Sequence, residues 1–204
     1  MKNNRTKFDS AAKDWDKNQY RIKMANNIVG HIINNIPLTQ EHTVMDFGCG
    51  TGLIGLNIAH LVQNLIGADL SINMLDTFKN KAAELGFNNT QTLHLDENTD
   101  FNELKFDAIV SAMTIHHIKE PNTLFNKFAS SLKSGAYLGI ADLAKEDGSF
   151  HDDNTGVYHF GFEQKEFEEL FIKNGFELPQ ILVAHTVEKP HGSYDIYFCY
   201  ARKI

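Results

Sequence analysis

Two cysteines, Cys49 and Cys199, are all that 204 residues contain, and they stand far apart. That excludes a disulfide scaffold and makes a reducing cytoplasm the expected compartment. No stretch approaches the roughly 18 consecutive apolar residues of a membrane span. The polar start, Met1 to Phe8, lacks the apolar core of a signal peptide, so no membrane association is expected. Positive charge is scarce: 19 Lys and Arg face 26 Asp and Glu, for a net charge of −7, and no basic run stands out. That balance argues against nucleic acid as a partner. Internal repeats and low-complexity segments are absent. The length suits one buried core and falls short of two domains of usual size. A single domain over 1–204 is expected, with 1–40 as a helical cap and 41–204 as the core.

What is present alternates between strand and helix patterns. Trp15, Tyr20, Ile22, Met24, Ile28, Val29, Ile32, Ile33 and Ile36 read as a short helix and then a longer one, closed by Pro37. Strands are expected at Val44–Phe47, Asn64–Leu70, Thr90–Leu95, Phe106–Ser111, Gly135–Leu143, Phe176–His185 and Tyr194–Tyr200. Between them, Met74, Leu75, Phe78, Ala82 and Leu85 mark a helix with Ser71 as its N-cap. Leu124, Phe125, Phe128 and Leu132 mark another that opens at Pro121. Glu163 to Asn174 forms a third, stopped by Gly175. Such alternation implies a parallel sheet covered on both faces, with the last two strands antiparallel because their connection is short. The aperiodic stretch from Ala144 to Phe160 is long enough to be functional.

The chain is organised around Val44-Met45-Asp46-Phe47-Gly48-Cys49-Gly50-Thr51-Gly52. Apolar residues run into alternating glycines and then into Leu53 to Ala59, the pattern of a strand, a tight turn and a helix start. Gly50 to Gly55 also fits the dinucleotide pattern G-x-G-x-x-G, with Asp69 at the distance of a ribose-binding acid. Asp46 discriminates. A carboxylate at the end of the first strand repels a pyrophosphate but attracts a cation. S-adenosylmethionine carries a sulfonium and an ammonium, has no phosphate, and ends in a carboxylate that helix N-terminal amides can hold. The competing reading of Asp46 is a turn-forming or capping acid. Cys49 reads as a small packed thiol within the same turn.

Val44 to Gly52, together with Gly67 to Leu75 and Phe106 to Ile118, resembles the class I S-adenosylmethionine-dependent methyltransferases, especially the small ubiquinone-biosynthesis-like group often labelled type 11. The resemblance covers about residues 8 to 200. It implies a Rossmann-like, doubly wound α/β fold whose seven strands run 3-2-1-4-5-7-6 with strand 7 reversed. It also implies S-adenosyl-L-methionine as cofactor, held beyond the C-terminal edges of strands 1 and 4. On that basis Gly48, Gly50 and Gly52 line the methionine part, and Asp46 and Cys49 of the same stretch count among the cofactor-site residues. Asp69 accepts from the ribose hydroxyls, and Leu70 and Met74 flank the adenine. Asp96 meets the adenine amino group, with Glu97 as its competitor. Ser111, Ala112 and Met113 approach from strand 4, and Trp15 lines the site from the cap or joins the core.

Beyond strand 4, His116 and His117 face the expected acceptor space, as general bases or as lining residues. Tyr158 and His159 are the candidate acceptor-contacting pair, with His159 a further catalytic candidate. His151, Asp152 and Asp153 lack a recognised ligand spacing, so no metal is expected. The expected activity is methyl transfer to a small-molecule O, N, S or C acceptor by in-line displacement. The competing readings are a non-catalytic S-adenosylmethionine-binding protein and an NAD-dependent oxidoreductase. Oligomeric state, monomer or homodimer, is left open.

Overall fold

A computed structural model describes residues 2–96, 99 and 104–204. Its strands are β1 Thr43–Phe47, β2 Asn64–Asp69, β3 Thr90–His94, β4 Phe106–Ala112, β5 Leu132–Leu143, β6 Gln180–Lys189 and β7 Gly192–Arg202. They form one sheet in the order β3-β2-β1-β4-β5-β7-β6. The first five strands run parallel, and β7 pairs antiparallel with both β5 and β6. The order and the reversed strand are those that the resemblance implies.

Both faces of the sheet are buried, and the alternation along β1 shows how. Val44 joins a core with Ile28, Ile32, Leu75 and Phe78, whereas Met45 joins one with Phe125, Phe128, Phe167 and Phe171. Successive side chains leave a strand on opposite faces. Helices α2 (Gln19–Asn35) and α4 (Ile72–Glu84) therefore cover one side, and α5 (Pro121–Ser131) and α6 (Gln164–Lys173) the other. The Ser71 side chain accepts from the Met74 N–H, as an N-cap should. Among the described residues no helix is long and apolar enough to cross a membrane.

Several boundaries differ from expectation for physical reasons. Helix α1 (Lys2–Ala11) starts earlier than the apolar spacing suggests, because it is held by polar contacts. Leu132 leaves α5 and pairs with Phe106, opening β5 three residues before Gly135. Leu85 caps α4 and is largely exposed instead of joining its apolar side. The last strands shift most. Phe176 makes one isolated bridge to Lys203, β6 begins at Gln180, and Pro190-His191 alone connects a tight hairpin. Phe176 is buried because the C-terminus of α6 delivers it to the core, so its hydrophobicity reports packing and not strand.

Candidate functional site

The β1 end and its glycine turn are built against two walls. Gly48 has φ of +72°, and a Cβ there would stand 2.2 Å from Thr114 Oγ1. A Cβ on Gly52 would stand 2.7 Å from Leu56 Cδ1. Side chains at either position are thus barred both by backbone conformation and by space. The helix after the turn is short: α3 covers only Gly55–Ile58 and passes into a 3-10 turn, Ala59–Leu61. Its first N–H, that of Gly55, donates to Asp46 Oδ2 at 2.8 Å. Asp46 is buried, and its Oδ1 finds no protein partner. Burial, opposed by the Gly55 hydrogen bond, pushes its pKa up to about 7. The helix that follows the turn is thus a single turn, and Asp46 occupies its leading amide. Cys49 is packed beside Asp46 and Asp69, and burial raises its thiol pKa well above the ordinary value.

Asp69, the last residue of β2, reaches across to the same turn. Its Oδ2 accepts from Gly50 N at 2.9 Å and its Oδ1 from Ser71 N at 2.8 Å. The carboxylate therefore sets the distance between the β1 and β2 ends while lying beside whatever occupies the corner. Burial raises its pKa. Met74 is buried under Gly50, and Leu70 is half-buried at the same edge. Asp96 is exposed and bonded to Thr99, whereas Glu97 lies outside the described residues. From β4, Ser111 donates to the Phe47 carbonyl at 2.8 Å, which clasps the two central strands. Ala112 and Met113 follow half-buried, and Met113 adopts φ of +52°. That is an uncommon conformation for a side-chain-bearing residue, and here it turns the chain toward Thr114.

The N-terminal segment closes over these edges. Asp9 Oδ1 accepts from Ser71 Oγ at 2.6 Å. In the 3-10 turn Ala12–Lys17, Asp16 accepts from Thr51 Oγ1 and from Lys81 Nζ, each at 2.6 Å. Trp15 is half-buried, with the Arg21 guanidinium 3.8 Å above its ring. Its edge contact with Phe8 continues to His117, 5.4 Å from the Phe8 ring. Apolar periodicity carries no signal for Asp9 or Asp16, because both act through carboxylates at positions that look merely solvated.

On the far side, His116 and His117 stand as expected at the β4 end, and the structure adds two partners. His116 is buried, and its Nδ1 lies 2.6 Å from Oδ1 of Asp142, also buried, on β5. Asp142 further accepts from the backbone of Ile115, His116 and Leu143. Burial alone would raise its pKa, but the adjacent His116 and these donors outweigh it and hold the carboxyl below the usual range. His117 Nδ1 bonds the Gly156 carbonyl at 2.9 Å. His151 comes in from the loop after β5, its ring 5.0 Å from His116 and 5.9 Å from His117. Burial, reinforced by the neighbouring rings, lowers the pKa values of both His117 and His151 to about 4. Sequence reading missed Asp142, though an acid inside the apolar run Tyr137 to Leu143 is a signal that could have found it.

Tyr158 and His159 are tied back to the same turn through their backbone N–H groups, which donate to the His116 carbonyl. The His159 ring bonds the Ile118 carbonyl at 3.0 Å and stacks on Phe162, and Tyr158 is largely exposed. The pair braces the His116–Ile118 turn, with the tyrosine ring turned outward.

Residues 44–135 match a family described as methyltransferase domain. The chain is 30% identical over 155 residues to an uncharacterized methyltransferase of Schizosaccharomyces pombe, covering 68% of this chain and 55% of that one. It is 26% identical over 146 residues to a ubiquinone biosynthesis O-methyltransferase of Shewanella pealeana, covering 67% and 60%. The chain thus spans little more than half the length of these relatives. Among solved structures, the magnesium protoporphyrin IX methyltransferase of Synechocystis, determined with bound S-adenosylhomocysteine, superimposes with a TM-score of 0.70. That likeness covers 98% of both chains at 17% identity and is one of fold. With the strand order and the glycine corner, these matches place the chain in the class I S-adenosylmethionine-dependent methyltransferase family.

Proposed function

We propose that this protein transfers a methyl group from S-adenosylmethionine to a small-molecule acceptor. The observation that carries the reading is the convergence of three groups at the ends of β1, β2 and β4: the Gly48–Gly52 turn, Asp69 and the His116–His117 turn. A doubly wound sheet binds its ligand at this switch in strand order. Asp69 has acceptor oxygens at the β2 end for the ribose hydroxyls, Met74 and Leu70 offer apolar contact to adenine, and Asp96 stands at the β3 end for the amino group. The glycine turn admits the methionine part closely. Asp46 braces that turn from behind through the Gly55 N–H.

Held by the glycine turn and Asp69, S-adenosylmethionine would offer its methyl carbon for in-line displacement by an electron pair of the acceptor. The cofactor supplies the activated carbon, and the chain supplies alignment and a dry pocket. Phe8 and Trp15 would cover the cofactor edge, with His117 beside Phe8 on the acceptor side. The likeness to a ubiquinone biosynthesis O-methyltransferase supports an acceptor of that class.

Incubation of the protein with methyl-labelled S-adenosylmethionine and a panel of phenols, amines, thiols and carbon acids tests the reading. Label is expected in one acceptor class. Binding of S-adenosylhomocysteine with no label transferred would make the chain a binding protein instead. Thermal stabilisation by NAD(H) alone would make it an oxidoreductase.

A further inference from the structure

The β4–α5 turn and the loop after β5 bring three imidazoles together, those of His116, His117 and His151, with one nitrogen from each lying within 4.8 Å of the others. Aromatic packing alone would leave the ring nitrogens to be satisfied elsewhere. Instead, two of the rings are each held through one nitrogen, and two buried ring nitrogens in the cluster have no protein partner. His116 Nδ1 is held by the Asp142 carboxylate and His117 Nδ1 by the Gly156 carbonyl. Each such bond fixes the proton on Nδ1 and leaves a lone pair on Nε2. His116 Nε2 is buried without a protein partner, and so is His151 Nδ1. Carboxylate and carbonyl groups behind imidazoles are how proteins orient metal ligands.

The third ligand is delivered by a loop that is anchored along its length. Glu146 Oε2 accepts from the Gly148 and Phe150 N–H groups, which shapes the turn before His151. From the β6–β7 hairpin, Lys189 Nζ donates to the Phe150 carbonyl and the His191 ring bonds the Ser149 carbonyl. Phe150 packs edge-on against His151 and Tyr194. Beyond it, Asp153 pairs with Lys7 at 2.9 Å. A site on a braced loop keeps the geometry that a metal needs.

We infer that His116, His117 and His151 bind a divalent transition metal ion of the zinc type, with Asp142 as the positioning residue behind His116. Zinc takes imidazole nitrogens at about 2.0–2.1 Å in a tetrahedron, which places them roughly 3.4 Å apart, so a closing shift on the order of an ångström completes the set. Three neutral nitrogen ligands leave one position for water or for a lone pair of a small molecule. If the methyl-transfer reading holds, that position takes the acceptor heteroatom and acidifies it, and the imidazoles then act as ligands and not as bases. Sequence spacing pointed away from metal because the first two ligands are adjacent and the third arrives from another crossover connection.

The test uses the untagged full chain, stripped with a chelator and titrated with Co²⁺ and Zn²⁺. One ion per chain is expected, with the intense visible absorption of four-coordinate cobalt, displaced by zinc. His151→Ala and His117→Ala each weaken binding by at least about tenfold, and Asp142→Asn by about 10–100-fold. Thermal melting confirms that each variant is folded. His151 lies in a surface loop, which keeps at least that variant usable. Absence of the cobalt spectrum, or wild-type affinity in a folded His151→Ala, overturns the inference. Titration with S-adenosylhomocysteine is read separately, so failure to bind metal is distinguishable from failure of the methyl-transfer reading.

Discussion

His116 Nδ1 and Asp142 Oδ1 lie 2.6 Å apart in a part of the protein where both side chains are buried. The carboxylate also collects three backbone N–H groups, so it fastens the β4–α5 turn to β5 as well as orienting the ring. Removing one partner of such a pair leaves the other's donors stranded. Asp142→Ala is expected to cost about 3–5 kcal/mol in urea denaturation. Asp142→Asn, which keeps an acceptor, is expected to stay folded and to lower kcat more than it raises KM.

Asp46 makes stability depend on pH. Its unfolded pKa is near 3.8 and its folded one about 7, so between those values the native chain keeps a proton that the unfolded chain has shed. Stability therefore falls as pH rises from about 4 to about 7 and then levels. Asp46→Asn keeps an acceptor for the Gly55 N–H and removes the ionisation. Thermal melts across that range are expected to show a flatter profile for the variant and a higher Tm than wild type at pH 8. Coincident profiles would contradict the assignment.

How much of this was readable beforehand depended on the physical carrier of each signal. The glycine turn, Asp69, the Ser71 cap and the strand order announce themselves locally or through ordered motifs, and the sheet has them where they were expected. Asp46 was legible as a choice between a ligand-facing charge and a turn brace, and the bracing bond to Gly55 is what the backbone shows. What could not be read was assembled by tertiary packing. His151 meets His116 only because the β5–α6 loop folds back under the β6–β7 hairpin. Asp9 and Asp16 reach Ser71 and Thr51 only because α1 lies across the strand ends. Phe176 misled because burial at a helix end and burial in a strand look alike in a short apolar run.

Asp69→Ala removes the acceptors for the Gly50 and Ser71 N–H groups and for the ribose hydroxyls. Calorimetry is expected to show S-adenosylhomocysteine affinity reduced by on the order of 1–3 kcal/mol. Undiminished affinity would take Asp69 out of the cofactor site.

Asp16 links the N-terminal segment to Thr51 and Lys81, and the Lys81–Asp16 pair is partly solvated. Asp16→Ala is expected to change global stability by about 1 kcal/mol or less. Limited proteolysis should nevertheless cut faster within residues 2–17, with S-adenosylhomocysteine restoring protection in the wild type more than in the variant. Equal cleavage of both proteins would show that the segment is held by other contacts.

A glycine corner made for a cationic methyl donor is tested most directly by calorimetric titration of the full chain with S-adenosylhomocysteine and, in parallel, with NADH. Saturable one-to-one binding of S-adenosylhomocysteine, with no heat from NADH, is the predicted result. Binding of NADH with none of S-adenosylhomocysteine would contradict it.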